Sequence, residues 1–380
     1  MWRRFRPLRL PRARRPNRWS LRAAPPQYTV WMDRRTFLQT PLAAAAAAGP
    51  KIRLGFDSYT LRGFGWKAMR LIDYAASRKL DTLQISSLGD YESLDPAHLQ
   101  KVKDHAERQG ITLDGGIGCI CPTAVQWNAR YGPPVEYILT GLRVAKAVGA
   151  KAMRCFIGGA TERRGPLPIE AHIEKTLEAL RAVRSRALDT GVKIAIENHN
   201  GDLTAREMKA LIEAAGPDLA GSCLDTGNPM WLLEDPLLTL EILGPYVATT
   251  HVRDSALCEH PRGAMFQWVA MGDGSMDWPP ILALFRKVCP QAAMQLEIIT
   301  GRPPQVLPYL EPDFWKAFPK LPAADFARFV ALAKRGRPYL GPMMIGGTAS
   351  PPPPEYEAAL REQQRVDLER SIEYTRKLLG

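Results

Sequence analysis

Four side chains able to hold a metal or move a proton stand at matching places in consecutive strand-like runs: Glu197, Asp225, His251 and Glu297. In the run Val192 to Glu197, Ala195 and Glu197 share one face and Ile194 and Ile196 the other. The run Ala220 to Asp225 sets Gly221, Cys223 and Asp225 against Leu224, and Val247 to His251 puts Thr249 and His251 together. The run Ala292 to Ile298 sets Gln295 and Glu297 against Met294, Leu296 and Ile298. Each run therefore ends with one polar group on its smaller, less aliphatic face. Three carboxylates meeting at one point repel unless a cation neutralises them. Oxygen donors with one imidazole suit Mn²⁺, Mg²⁺ or Co²⁺ better than a closed structural zinc site, and Zn²⁺ is a further alternative. Such a set leaves positions open for substrate oxygens. Any one of these residues alone reads as a solvated loop anchor; the matched phase of all four carries the metal expectation.

The elements that position them alternate throughout the chain after residue 50. Strand-like runs begin at Ile52, Thr82, Ile111 and Ala152, ahead of the four above. Helical stretches follow near 66–79, 96–109, 134–148, 169–190, 204–215, 236–243, 279–288 and 355–378. Eight β-then-α units in series predict an α/β fold, a (β/α)8 TIM barrel with its polar strand ends at the C-terminal mouth. An open doubly wound sheet would be expected to carry a Gly-rich turn after its first strand, and there is none. Two segments break the rhythm. One is a long loop, 252–278, containing Gly272-Asp273-Gly274; the other is an insertion, 299–354, between strand eight and the last helix, with a helix at 324–335. Insertions of this length in a compact domain are usually lids or interface elements.

The motifs carry a resemblance. Ile196-Glu197-Asn198-His199, Leu224-Asp225-Thr226-Gly227-Asn228-Pro229, His251-Val252-Arg253-Asp254, Gly272-Asp273-Gly274 through Asp277-Trp278, and Leu296-Glu297-Ile298 together resemble the xylose-isomerase-like TIM-barrel superfamily. That group includes sugar phosphate isomerases and epimerases, hydroxypyruvate isomerases, inosose dehydratases and endonuclease IV. The resemblance implies a divalent metal on Glu197, Asp225, His251 and Glu297. It also implies that Glu197 and Glu297 form a catalytic acid–base pair acting through an enediolate on a keto-sugar or sugar derivative. The expected enzyme is an isomerase or epimerase. The alternative is a lyase of the same fold, a 3-oxo sugar acid decarboxylase or an inosose-type dehydratase. A non-catalytic sugar-binding barrel would be expected to lose one Glu, and both are present. An endonuclease IV-like DNA-repair enzyme needs many histidines, and the chain has six, of which His98, His105 and His172 fall on expected helices.

Around this set, His199, Asn228, Arg253 and Asp254 are candidate substrate-binding residues. Asn228 stands where epimerase members often carry a substrate-contacting His, a departure that weighs against a ketose 3-epimerase. Asp254 either supports the site or pairs with Arg253 in the loop. Asp57 and Tyr59, at the end of strand one, either line the pocket or build a turn. Glu162, Arg163 and Arg164 read as a solvated charged loop rather than a substrate contact. Trp127, Trp268 and Trp315 fall in loops near the expected mouth, where they either stack on a sugar or pack.

The net charge of +12 is a poor guide to partners. Residues 1–50 hold eleven Arg and one acid, Asp33, and so contribute +10, leaving the rest near neutral. A near-neutral body lacks the basic field that nucleic acid needs, and nothing is apolar and long enough for a membrane span. The expected partner is a small sugar, and the helical surface leaves room for a homodimer. Within the leader, Arg34-Arg35 before Phe37-Leu38 and a six-Ala run resembles a twin-arginine export signal starting at Met32, with 1–31 an upstream extension. This predicts a periplasmic or exported protein, or a cytoplasmic one if the leader is no signal. The six Cys fit neither a zinc motif nor a disulfide framework, and Cys119 and Cys121 read as small residues in a loop.

Overall fold

Alternating strands and amphipathic helices must bury one face of each element, and in this chain they do so around a closed ring. The computed structural model describes residues 51–346 and 352–380, so the leader and its export signal lie outside the described residues. The first seven strands are β1 (Leu54–Asp57), β2 (Thr82–Ile85), β3 (Thr112–Cys119), β4 (Ala152–Phe156), β5 (Lys193–Glu197), β6 (Ala220–Asp225) and β7 (Val247–His251). A hairpin, β8 (Asp254–His260) and β9 (Gly263–Val269), comes next, then β10 (Met294–Leu296) and β11 (Gln305–Leu307). The parallel sheet runs β10-β1-β2-β3-β4-β5-β6-β7. It closes through Val252, whose N–H donates to Gln295 O at 2.7 Å and whose carbonyl accepts from Glu297 N at 3.0 Å. The protein is a TIM barrel, as its strand count requires.

The helices are α1 (Ala68–Ser77), α2 (Pro96–Arg108), α3 (Pro134–Ala147), α4 (Ala160–Arg164), α5 (Ile169–Leu188), α6 (Ala205–Ala215), α7 (Pro236–Leu243), α8 (Trp278–Val288), α9 (Ala323–Arg335) and α10 (Pro354–Leu379). None of the described helices is long and apolar enough to cross a membrane. Helix α1 shows why these segments coil: Ala68, Leu71, Ile72 and Ala75 fall on one stripe and are buried. Helix α6 starts where Thr204 caps Glu207 N and the Glu207 carboxylate returns to Thr204 N, a reciprocal capping box.

The mouth of the barrel is stitched by side chains that continue the strand ladders. Asn198, just beyond β5, donates to Asp225 O and accepts from Asp225 N, both at 2.9 Å. Thr226, just beyond β6, donates to Arg253 O at 2.8 Å and accepts from Arg253 N at 2.9 Å. Thr60 does the same between β1 and β10, donating to Leu296 O at 3.2 Å and accepting from Ile298 N at 3.0 Å. Each clamp satisfies buried backbone groups that the strands themselves no longer pair.

The loop expected at 252–278 is a β-hairpin instead. Ala264, Phe266 and Trp268, spaced at period two, enter one apolar cluster, a signal hidden by the short length of the run. The turn requires Gly263, whose φ of 145° and approach of a would-be Cβ to 2.3 Å from Leu307 O exclude a side chain. Strand β11, from the 299–354 insertion, pairs antiparallel with β9. The two segments thus form one three-stranded sheet. It shares a second apolar core that includes Leu257, Phe266, Leu307, Phe314, Phe318 and Phe329.

Asn198→Ala would leave two buried backbone groups of Asp225 without partners. We expect it to lower stability by about 2–4 kcal/mol, measured by urea unfolding. A loss within about 0.5 kcal/mol, the range of a bland surface change, would show that the clamp does not hold the rim.

Candidate metal centre

Strand alternation turns one side chain from each of β5, β6 and β7, and one from the residue after β10, into the barrel mouth. Glu197, Asp225 and His251 are fully buried, and Glu297 is 3% exposed. One candidate ligand atom from each lies within 4.8 Å of all the others. His251 Nδ1 stands 3.4 Å from Glu197 Oε1 and 3.3 Å from Glu297 Oε2. The structure therefore brings the four expected metal ligands together at one point.

The donor chemistry fits a divalent cation. His251 Nδ1 is buried and makes no hydrogen bond, as is also true of Asn228 Oδ1 and Arg253 Nη1 beside it, and Glu297 Oε2 is met only by the Arg253 guanidinium as an ion pair. Asp225 Oδ1 accepts from Gly227 N and Asn228 N, both at 2.7 Å, which orients the carboxylate. On the far side of the imidazole, the Gln84 amide lies 2.6 Å from Nε2. Thr249 has one hydroxyl hydrogen and two neighbours, Gln84 at 3.0 Å and Asp114 at 2.8 Å. Gln84 is placed with its nitrogen toward the ring and its oxygen toward Thr249; with the amide turned end for end, Thr249 donates to Asp114 and accepts from the Gln84 NH2, and the Gln84 oxygen accepts from Nε2–H. That arrangement leaves the Nδ1 lone pair facing the carboxylates, the tautomer a metal needs.

Two buried arginines share the compensation. Arg154, from β4, donates through Nε to Glu197 Oε2 at 2.5 Å. Arg253 pairs with Asp225 through Nε at 3.2 Å and through Nη2, which also stands 2.7 Å from Glu297 Oε2. Its guanidinium lies 4.4 Å from the centre of the Trp268 ring. Arg253 passes so close to Gly227 that a Cβ there would meet its Cγ at 2.6 Å, so the turn after β6 must be glycine.

The charges respond to these neighbours. Burial pushes Glu197 up, but Arg154 and His251 outweigh it and hold the carboxyl well below the usual range. Burial likewise opposes Glu297, yet Arg253 and His251 bring it down to about 2. Asp225 goes the other way: burial exceeds the pull of Arg253, Glu197 adds repulsion, and its pKa is raised to about 6. Burial pulls His251 down, but Cys223, Glu297, Glu197 and Asp57 together place it well above an ordinary histidine. Without a metal, a proton on His251 stands in for part of the missing positive charge.

The other expected site residues divide. His199 lines the mouth, stacked 4.0 Å from Phe156, with Nδ1 2.6 Å from Gly158 O. Asn228 also lines it and donates to Glu197 Oε1 at 3.1 Å. Asp254 does not reach the cavity, nor does it pair with Arg253. Its carboxylate accepts from Trp278 Nε1 at 2.9 Å, Gly272 N at 3.0 Å and Ser255 N at 2.8 Å, so it ties down the Gly272-Asp273-Gly274 turn. Asp57 builds the turn, accepting from Tyr59 N at 2.9 Å, and stands 3.5 Å from His251 Nε2 beneath the cavity, which Tyr59 lines. The charged segment 162–164 is helical rather than a solvated loop. Glu162 is buried and accepts from Gly159 N and Val125 N, while Arg163 is buried against Asp202 O and Glu207. Of the three expected tryptophans only Trp268 walls the cavity. Trp127 packs on Tyr137, and Trp315 on Phe314 and Phe326. Both Cys119 and Cys121 are buried, and Cys119 belongs to β3.

Arg154 and Gln84 were missed by the sequence reading, although alternation alone puts them inward, opposite Met153 and Cys155 on β4 and Leu83 and Ile85 on β2. Above the cluster opens a cavity of about 560 Å³, walled by Tyr59, Trp66, Phe156, Trp268 and polar side chains.

A parallel barrel with a polar cluster at its strand ends is a fold that comparison with known proteins assigns to a family. Residues 72–317 match the family model described as xylose isomerase-like TIM barrel, and the chain belongs to that family. A curated relative is the 3-oxo-isoapionate decarboxylase of Pectobacterium atrosepticum, 24% identical over 210 residues, which are 55% of this chain and 69% of that protein. Among solved structures, the D-psicose 3-epimerase of Clostridium cellulolyticum with D-tagatose superposes with a TM-score of 0.53 at 15% identity, over 87% of this chain and 100% of that one. An L-ribulose 3-epimerase does so with a TM-score of 0.53 at 16% identity, over 86% and 96%. At these identities the likeness is one of fold.

A divalent ion should raise the melting temperature of the full chain, by roughly 2.7 kcal/mol of stabilisation at a hundred times Kd. Asp225→Ala and His251→Ala should remove that shift in differential scanning calorimetry. An undiminished shift in both variants would place the metal elsewhere.

Proposed function

We propose that the protein is a divalent-metal-dependent enzyme that acts on a keto-sugar or sugar derivative through an enediolate, as an isomerase or epimerase. The observation that carries this reading is the meeting of Glu197 and Glu297 within 3.4 Å of the same His251 Nδ1, under an aromatic-walled cavity of sugar size. Glu197, Asp225, His251 and Glu297 would hold the metal, Mn²⁺ by preference, and when bound it would polarise the substrate carbonyl and acidify the adjacent C–H. The protein's own groups do the rest. One glutamate takes the proton, and the C–H electron pair moves toward the carbonyl oxygen. A glutamate then returns a proton to the same or the neighbouring carbon. Arg154 and Arg253 keep both carboxylates ionised and aimed. Trp268 and Phe156 wall the cavity and exclude water beside the reacting carbons.

A second reading, a lyase acting on a 3-oxo sugar acid, is favoured by the decarboxylase relative. There the C–C bond electrons pass to the neighbouring carbonyl as CO₂ leaves, and a protein acid delivers a proton to the carbon that lost it. Both readings share the enediolate and differ in how it begins.

Glu197→Gln and Glu297→Gln should each lower turnover by roughly 10²–10⁴-fold. Incubating the wild type with keto-sugars and 3-oxo sugar acids in D₂O with Mn²⁺ separates the readings. Deuterium entering one carbon without carbon loss supports the isomerase or epimerase, and CO₂ or water release supports a lyase. Full activity in both Gln variants would remove the glutamates from the chemistry.

A further inference from the structure

The cavity holds more positive charge than a neutral sugar requires. Five arginines line it: Arg62, Arg130, Arg154, Arg253 and Arg302. Arg154 and Arg253 are engaged by the candidate ligands. Arg62, Arg130 and Arg302 have no carboxylate within salt-bridge distance among the described residues. Arg62, in the turn after β1, donates to Tyr59 O at 3.2 Å and lies 4.7 Å over the Tyr59 ring. It is half-buried, and burial together with repulsion from Arg302 and Arg253 presses against its charge. Arg302 comes from the segment after β10, and within the described residues its side chain makes no hydrogen bond. Arg130, from the segment after β3, rests 4.4 Å over Tyr131.

Three distant chain segments thus deliver like charges to one cavity: Arg130 and Arg302 at its exposed rim, and half-buried Arg62, whose burial and repulsion Glu297 offsets only in part. The balance of the whole site points the same way. Five arginines face five carboxylates, namely Asp57, Asp90 and the three acidic ligand candidates. A divalent cation added to this set leaves an excess of two positive charges.

We propose that the substrate carries an oxyanion, a carboxylate or a phosphate, bound by Arg62 and Arg302 with Arg130 lining the same space. The planar guanidinium fork matches either group. This rests on the reading that the cavity above the metal centre is the substrate site, but not on which reaction follows.

The test is calorimetric titration of the full, Mn²⁺-loaded chain with D-gluconate, D-fructose 6-phosphate and D-fructose. At least one anion should bind about tenfold or more tighter than D-fructose, the margin of one charge-assisted contact. A gain with D-gluconate alone assigns a carboxylate, and a gain with D-fructose 6-phosphate alone assigns a phosphate. Arg62→Gln, and separately Arg302→Gln, should weaken binding of the favoured anion more than that of D-fructose and so shrink that margin. The proposal is overturned if neither anion outbinds D-fructose, or if the margin survives in the Arg62→Gln/Arg302→Gln double variant. Because binding is read without turnover, anion selectivity that persists when neither deuterium exchange nor any product is formed would count against the enediolate reading alone.

Discussion

Everything at the mouth of this barrel answers to one constraint: four carboxylates, those of Asp57, Glu197, Asp225 and Glu297, are buried around one imidazole. Buried like charges are tolerable only when opposite charges and hydrogen bonds are fixed around them. Arg154 meets Glu197 from the side of β4, and Arg253 spans Asp225 and Glu297 from beyond β7. The backbone N–H groups of Gly227 and Asn228 hold Asp225. What these leave uncompensated is concentrated on His251 Nδ1 and the oxygens facing it, where a cation fits. The same constraint explains the stitching of the rim. A shift of a strand end by one residue would turn its acid away from the cluster, and the Asn198, Thr226 and Thr60 clamps bind each seam just past its ligand.

The insertions bear on this cluster through Arg253. Its guanidinium lies between the carboxylates and the Trp268 ring, and Trp268 belongs to the hairpin that β11 extends. Trp268 Nε1 also donates to Gly227 O at 3.3 Å, in the very turn that presents its N–H to Asp225. The added sheet is therefore one wall of the cavity. Asp254 sits at the root of the hairpin and fastens it to the start of α8 through Trp278. Its raised pKa, about 6, follows from burial that its hydrogen-bond donors only partly offset.

How much of this could be read from the chain depended on where each residue sits relative to a period. Glu197, Asp225, His251 and Glu297 were legible because each closes an alternating run, so strand phase fixes both its depth and its direction. Arg154 and Gln84 obey the same rule and would have been found by reading β4 and β2 for faces. Asp254 is not placed by its neighbours in sequence, because a carboxylate beside a ligand looks available. Its occupation by Trp278 and Gly272, 24 and 18 residues on, depends on a hairpin whose strands pair only in three dimensions. Arg62, Arg130 and Arg302 belong to irregular segments after β1, β3 and β10. No period connects them, and only barrel closure makes them neighbours. Glu162 and Arg163 look like surface charge in one dimension and become buried once α4 packs against the loop after β5.

The ionisation of the two glutamates constrains how the proposed enediolate can be quenched. Glu297, at about 2, and Glu197, well below the usual range, both enter as carboxylates, so neither brings a proton of its own. An exchange of protons across two faces, with one glutamate taking and the other giving, would require the giver to be recharged from solvent in every cycle. A transfer in which one glutamate takes a proton and returns the same one needs no recharging and would carry label within the substrate. A decarboxylation needs one net proton from outside, because the departing CO₂ supplies none. The arginines that keep these carboxylates ionised also weaken them as bases and leave them without a proton to give. Asp225 does not supply that proton, because Gly227 N, Asn228 N and Arg253 hold both its oxygens as acceptors, so the proton has to come from the abstracting glutamate or from outside the ligand set.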